Sequence, residues 1–209
     1  DTINIGVVGN MRQGKSTLLQ TLTGLDHRFL PTTSGGATTG VRSQIINRKG
    51  DTECKVVFYD EETFMQEVIK PYFDKLNLQN MPLSLHGLKE FKLEKYEESH
   101  HDHEEVTYYR RFKRYLDHIS AYESLLTGES QSVKPDELWE YVSQRNPEDS
   151  NQESYKYLAV KEVKIYTHLP SLKNEKISFV DTPGLGEITA GAQERLLKVL
   201  ERDVDLMFM

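Results

Sequence analysis

Apolar residues follow two rhythms along this chain. Towards both ends they fall in short runs or in strict alternation, and through the middle they recur every three or four positions. Ile3-Asn4-Ile5-Gly6-Val7-Val8 predicts a buried strand, and Ser16 to Leu22, with Leu18, Leu19 and Leu22 on one face, predicts the helix after it. Val41 to Asn47 and Cys54 to Tyr59 predict two strands, joined as a hairpin through the polar turn Arg48-Lys49-Gly50-Asp51-Thr52. Val160 to Tyr166 alternates apolar and charged residues as a half-solvated strand does, and Ile177-Ser178-Phe179-Val180 reads as a buried one.

The middle of the chain is helical in pattern. Glu61 to Leu76 carries Phe64, Val68 and Tyr72 at four-residue spacing, with Pro71 inside the pattern and expected to kink or divide it. A helix from Glu104 to Thr127, roughly 35 Å long at 1.5 Å per residue, places Val106, Tyr109, Leu116, Ile119, Tyr122 and Leu126 on one stripe, with Gly128 as its stop. Asp136 to Gln144 predicts a shorter helix anchored by Trp139, and 146–153 a polar loop. No internal repeat is visible. The division that follows is an α/β core made of residues 1–60 and 158–209, interrupted by a helical insertion over 61–157.

Composition narrows the class. A chain of 209 residues can bury one good core and an appended subdomain. With 26 basic against 33 acidic residues, net charge −7, it has no electrostatic reason to seek nucleic acid. Its one cysteine, Cys54, excludes an internal disulfide and reads as a small apolar residue in a strand, which points to a reducing compartment. No apolar run approaches the roughly 18 residues of a membrane span, and no signal-peptide pattern opens the chain, so a cytoplasmic location is expected. The sequence starts at Asp1 and ends on Asp203-Val204-Asp205-Leu206-Met207-Phe208-Met209, which reads as the start of another buried strand; a piece of a longer protein is expected. His100-His101-Asp102-His103 has metal-ligand residue types, but neighbours in sequence splay around a turn and no second ligand pair follows. Arg110-Arg111-Phe112-Lys113-Arg114 is flanked by Glu104, Glu105 and Asp117 and reads as a solvated helix face.

Chemistry enters between the first strand and the first helix. Gly9-Asn10-Met11-Arg12-Gln13-Gly14-Lys15-Ser16, followed by Thr17, is a G-x-x-x-x-G-K-S phosphate loop in its required strand-loop-helix setting. The two glycines let the backbone turn tightly and bring its N–H groups against phosphate oxygens, while the helix N-terminus adds its positive end. Lys15 supplies a point charge between the β- and γ-phosphates, and Ser16 offers a hydroxyl to Mg²⁺. Asp181-Thr182-Pro183-Gly184 follows the strand ending at Val180 and fits a D-x-x-G element: Asp181 would reach Mg²⁺ through a water, and the Gly184 N–H would grip the γ-phosphate. Between the two, 31–40 is a polar, glycine-rich loop whose Thr39, with Thr38 in reserve, is the candidate to complete the Mg²⁺ shell when the γ-phosphate is present.

On these residues the chain resembles the dynamin superfamily of large GTPases, most closely its bacterial dynamin-like members. The resemblance rests on Gly9 to Ser16, on Gly36-Ala37-Thr38-Thr39, on Asp181-Thr182-Pro183-Gly184-Leu185-Gly186-Glu187, and on the run from Val160 through Ile177, similar to the family's strand pair ahead of that turn. It covers roughly residues 1–60 and 158–209. It implies a P-loop NTPase G domain, a mostly parallel α/β sheet with flanking helices, C-terminally incomplete here. It also implies Mg²⁺-dependent binding and hydrolysis of GTP to GDP, a nucleotide-dependent homodimer and, in the full protein, a helical stalk acting on membranes, hence peripheral membrane association. Guanine is implied by the resemblance alone, because the base-reading N/T-K-x-D element should follow the strand that begins near Val204.

Two departures bear on catalysis. Leu185 stands where Ras-type GTPases place a water-orienting glutamine, as dynamin-like enzymes also have a hydrophobic residue there. Arg12 occupies the loop position at which guanylate-binding proteins and atlastins carry a cis-acting arginine finger and many dynamins carry serine. Catalysis therefore falls to Lys15, Thr39 and Arg12, with Arg12 either over the γ-phosphate or facing solvent or a partner chain. Two other classes stay open: a non-hydrolysing nucleotide switch that recruits a protein through its helical insertion, and a P-loop ATPase or kinase.

Overall fold

The computed structural model describes residues 2–9, 14–27, 29–30, 41–94, 102–149, 151–170, 172, 176–181 and 189–208. Strands β1 (Ile3–Val7), β2 (Arg42–Asn47), β3 (Glu53–Phe58), β4 (Ser130–Val133), β5 (Val160–Thr167), β6 (Ile177–Asp181) and β7 (Leu206–Phe208) form one sheet in the order β4-β3-β5-β2-β6-β1-β7. Helix α1 (Lys15–Thr23) follows β1. After β3 come α2 (Glu61–Phe64), a π-helical turn (Met65–Ile69), α3 (Lys70–Lys75), α4 (Leu85–Glu90), α5 (His103–Asp117) and α6 (Ile119–Tyr122), while α7 (Trp139–Val142) follows β4 and α8 (Ala192–Asp203) precedes β7.

The sheet is mixed rather than mostly parallel. β1 runs parallel to β6 and β7, and β2 parallel to β5, whereas β2–β6, β3–β4 and β3–β5 are antiparallel. The expected β2–β3 hairpin does not form, because β5 lies between the two strands and pairs with both. The connecting turn is long enough to straddle one strand, a gap of about 10 Å. It lies across the end of β5: Arg48 N–H donates to Thr167 O at 2.9 Å, and the Thr52 and Thr167 hydroxyls meet at 2.8 Å. Strands β5 and β6 are not a pair either, since β2 separates them. Buried Asn47 at the end of β2 accepts the Leu169 N–H on Oδ1 at 2.9 Å, which anchors the β5–β6 connection beside it.

This topology sets where function can sit. β2 is antiparallel to β6, so the amino end of β2 and the carboxyl ends of β1 and β6 share one edge of the sheet. By the same directions β3 leaves, and β5 enters, on that edge. The helical segment between them therefore emerges on the same edge as the loop that follows β1, three to four strands away along the sheet.

The helices depart from expectation in instructive ways. Glu61 to Lys75 runs on through Pro71 without dividing, because the π turn ahead of it widens the register; Lys70 N–H bonds Met65 O, five residues back. Asp60 caps the start, accepting Thr63 N–H at 2.8 Å, which holds its carboxyl below the usual carboxylate range. The expected 104–127 helix ends at Asp117, and after His118 a single turn (α6) and a 3₁₀ turn carry the chain to Gly128, which takes φ 74°. Its most buried residue is Phe112, from the supposedly solvated basic run, packed face to face on Tyr72 (centroids 5.5 Å apart) and edge-on to Phe73 (5.4 Å). In the 136–144 region the anchors are Leu138, Tyr141 and Val142; Trp139 is only partly buried. Leu18 is 43% exposed, because the stripe of α1 that faces the sheet runs through Leu19 and Thr23. β7 forms as a strand, but its three residues are exposed at the end of the sheet rather than buried.

One hydrophobic cluster joins the sheet to the middle helices, from Ile45, Val56, Val163 and Ile165 to Phe64, Tyr72, Phe112, Tyr122 and Tyr157. Cys54 is part of it, and burial pushes its thiol up to about 12, as a packing residue requires. Asp102 caps α5 by accepting Glu105 N–H at 2.9 Å; His100 and His101 lie outside the described residues.

Candidate functional site

Two neighbouring strands deliver the site. β1 and β6 are in parallel register with Val7 opposite Asp181, so the loop after β1 and the residues after β6 leave the sheet side by side. Gly14 caps α1 with φ 85°, a left-handed conformation that a side chain would strain, and Leu18 N–H closes the first helical turn onto Gly14 O at 2.8 Å. No acidic residue in the first turn of α1 competes for an anion at its N-terminus. Lys15 Nζ reaches back to donate to Gly9 O at 3.1 Å. Ser16 is half-buried and Thr17 exposed.

Asp181 is the electrostatic centre. Its Oδ1 is sealed from solvent and has no hydrogen-bond partner among the described residues. Burial raises its carboxyl from 3.8 to about 6, with the positive charge of Lys15 pulling the other way. A buried carboxylate oxygen left without a donor is unfavourable unless a cation or a water bound to one supplies the missing partner. The donor set, one carboxylate beside one hydroxyl-bearing helix turn, suits a hard divalent cation that takes oxygen ligands and keeps its own waters. Among the described residues no group of three or more His, Cys, Asp or Glu side chains is placed to hold a metal ion.

On the second side, Ser43 pairs with Asp181 across the antiparallel β2–β6 ladder, so β2 begins where β6 ends. Arg42 ties this point to α8 by ion pairs to Asp203 (2.7 Å) and, from β5, Glu162 (3.3 Å). The structure thus brings Gly9, Gly14, Lys15, Ser16 and Asp181 to one place. Asn10, Met11, Arg12, Gln13, Thr38, Thr39 and Gly184 lie outside the described residues.

A family model described as the dynamin family matches residues 5–209. The chain belongs to the dynamin family. No curated protein matches the sequence. Two solved structures, both described as an oligomerised bacterial dynamin pair that provides a mechanism for long-range sensing and tethering of membranes, are similar in fold. One has a TM-score of 0.54 and 19% identity, covering 98% of this chain and 22% of that one; the other has 0.52 and 19%, covering 99% and 26%. The dynamin-family domain described here thus spans about a quarter of the length of either, and at this identity the likeness concerns the fold. Its mixed α/β sheet is that of a P-loop GTPase. No helix among the described residues is long and apolar enough to cross a membrane.

Sequence reasoning missed three arginines of this dynamin-family domain. Arg42 holds α8 to the edge of β2, Arg195 of α8 reaches Glu67 O at 2.6 Å, and Arg111 of α5 bonds the Thr189 hydroxyl just before α8. One signal for Arg195 is present in the sequence: Pro71 has no N–H, so the carbonyl four residues back, that of Glu67, needs a donor from elsewhere.

Proposed function

We propose that this chain is the nucleotide-binding part of a Mg²⁺-dependent GTPase of the dynamin type. The observation that carries the reading is the buried Asp181 oxygen, without a hydrogen-bond partner among the described residues, beside Lys15 at the ends of two adjacent parallel strands. Ser16 and Asp181 would hold the cation. When bound, Mg²⁺ neutralises charge on the β- and γ-phosphate oxygens. Lys15, released from Gly9 O, places its ammonium between the same phosphates, and the amides of 9–14 and the amino end of α1 orient them. Thr39 stands three residues ahead of Arg42, and Gly184 three residues past Asp181; both are within about 13 Å of chain reach of the Asp181–Ser43 pair. That reach supports assigning Thr39 to the cation and attacking water, and the Gly184 N–H to the γ-phosphate. Arg12 would spread over the γ-phosphate as charge develops there, an effect worth about 10³ to 10⁵ in rate where an arginine finger operates.

In the whole protein the domain would act with further segments. Residues 61–157 are then a helical insertion in the GTPase core 1–60 and 158–209, nucleotide-dependent pairing of two copies is expected, and the tethering of membranes described for the similar structures is the cellular role to test. A location on the cytoplasmic side of a membrane follows from the same reading. In the full-length protein, GTP turnover collapses in Lys15→Ala; turnover equal to wild type would refute this site. Labelled GTP competed against ATP decides the base.

A second reading, a nucleotide switch with negligible hydrolysis, is favoured by one residue: Leu185 cannot orient water. Single-turnover phosphate release separates the two, because Arg12→Ala slows it in the first reading and leaves it unchanged in the second.

A further inference from the structure

Between α8 and the ends of β3 and β5 lies a cleft of about 200 Å³ that nucleotide chemistry leaves unused. Five cations and three carboxylates line it. The carboxylates are engaged by two of the cations: Arg42 pairs with Asp203 (2.7 Å) and Glu162 (3.3 Å), and Lys198 with Glu67 (2.9 Å). Three positive groups remain. Arg195 clamps α8 to the π turn through Glu67 O (2.6 Å) and holds Ala190 O (3.2 Å), carbonyls that take part of its donor fork but do not neutralise it. Lys161 and Arg202 make no ion pair among the described residues; Lys161 Nζ stands 5.8 Å from the centroid of the Tyr59 ring.

Tyr59 adds a neutral donor. Only 7% of this residue is exposed, it lines the cleft, and its hydroxyl has no hydrogen-bond partner among the described residues. Burial pushes the phenol above its ordinary range, so the group stays protonated and can donate. A hydroxyl this enclosed is short of an acceptor unless water or a ligand in the cleft supplies one.

We infer that this cleft is a second anion site, apart from the phosphate loop, that takes a compact phosphate group on Lys161, Arg202, Arg195 and the Tyr59 hydroxyl. The helix is patterned for it: Arg195, Lys198, Val199 and Arg202 follow one another at intervals of three, one and three residues and so form one stripe of α8. The donors come from separate walls, α8, the start of β5 and the residue after β3, which suits the tetrahedral oxygens of a phosphate better than the two coplanar oxygens of a carboxylate. Pockets for drug-sized ligands run to roughly 300–1,000 Å³, so this smaller one favours a compact occupant. β2, with the Arg42 ion pairs, separates β5 from Asp181 on β6. The inference stands independently of the function proposed above.

The test titrates inorganic phosphate and pyrophosphate into full-length protein by calorimetry, in the presence of saturating GDP and Mg²⁺, with acetate as the carboxylate control. Wild type binds a phosphate compound about tenfold or more tightly than acetate. The Lys161→Gln/Arg202→Gln double variant and the near-isosteric Tyr59→Phe each weaken that binding about tenfold. Phosphatidylcholine vesicles with and without phosphatidic acid separate the sources of the group: a lipid source shows as sedimentation with the acidic vesicles that the double substitution abolishes, a soluble one as calorimetric binding alone. Acetate bound as tightly as phosphate, affinity unchanged in the double variant, or phosphate displaced by GDP overturns the inference. So does wild type that takes up neither phosphate compound nor the acidic vesicles. GDP that fails to bind, while phosphate uptake still depends on Lys161, Arg202 and Tyr59, sinks the GTPase reading and leaves this one standing.

Discussion

Replacing Asp181 with asparagine should make the metal-free protein more stable at neutral pH while removing its use for Mg²⁺. The carboxyl titrates at about 6 in the fold against an ordinary 3.8, so the folded state holds the proton more tightly than the unfolded chain does. The sign follows: stability from this group is fully present below about pH 4, is lost as pH rises from 4 to 6, and stays lost above. A difference of about two pH units at about 1.4 kcal/mol each sets the ceiling near 3 kcal/mol. The substituted amide carries no charge, so the variant escapes this loss. The stability of Asp181→Asn relative to wild type should therefore climb by roughly 2–3 kcal/mol between pH 4 and pH 7.5, whatever the fixed offset from the amide's own hydrogen bonding. For a domain of this size that is a Tm difference changing by roughly 4–12 °C. Thermal melts in chelator at several pH values measure it. With Mg²⁺ and GTP added, wild type should gain and the variant should not. A pH-independent difference, or a variant that still gains from Mg²⁺, would show that Oδ1 has a partner and that the cation lies elsewhere.

Gly191→Ala should cost about 1–3 kcal/mol in stability in urea unfolding, from its φ of 71° and because a Cβ there would lie 2.8 Å from Arg195 Nη1 and 2.9 Å from Pro71 Cγ; an effect within about 0.5 kcal/mol would show that the two segments give way freely. Phe112→Ala should be among the most destabilising single changes, about 3–5 kcal/mol, because it empties the space between Tyr72, Phe73 and Phe91; a solvated basic face would instead tolerate it, with an effect within about 0.5 kcal/mol.

The nucleotide elements were legible because each is local: four fixed positions between a strand and a helix, and an aspartate at the end of a buried strand. That they meet is written in the β1–β6 register, which no single segment carries. The β2–β3 hairpin was misread for the same reason. A polar five-residue turn between two strands is equally compatible with direct pairing and with straddling a third strand, and only β5, over a hundred residues on, decides it. β4 was invisible because Ser130-Gln131-Ser132 is polar and exposed; the strand pairs with β3 alone, and of its residues Val133 packs against the core. Phe112 was masked by the four basic residues around it, although Tyr108, Phe112 and Tyr115 lie on one helical face against Tyr72. The clamp on α8 joins residues 128 apart through a side chain and a carbonyl, and patterning by hydrophobicity has no term for that.

Calorimetric titration of GTP into the full-length protein, with Mg²⁺ and with chelator, tests the central claim most directly, run on wild type, Lys15→Ala and Asp181→Asn. The account predicts binding in wild type that tightens with Mg²⁺, loss of affinity in both solutions for Lys15→Ala, and loss of the Mg²⁺ increment alone for Asp181→Asn. Wild-type protein that takes up no purine triphosphate under either condition, or an Asp181→Asn variant with the Mg²⁺ increment intact, would contradict it.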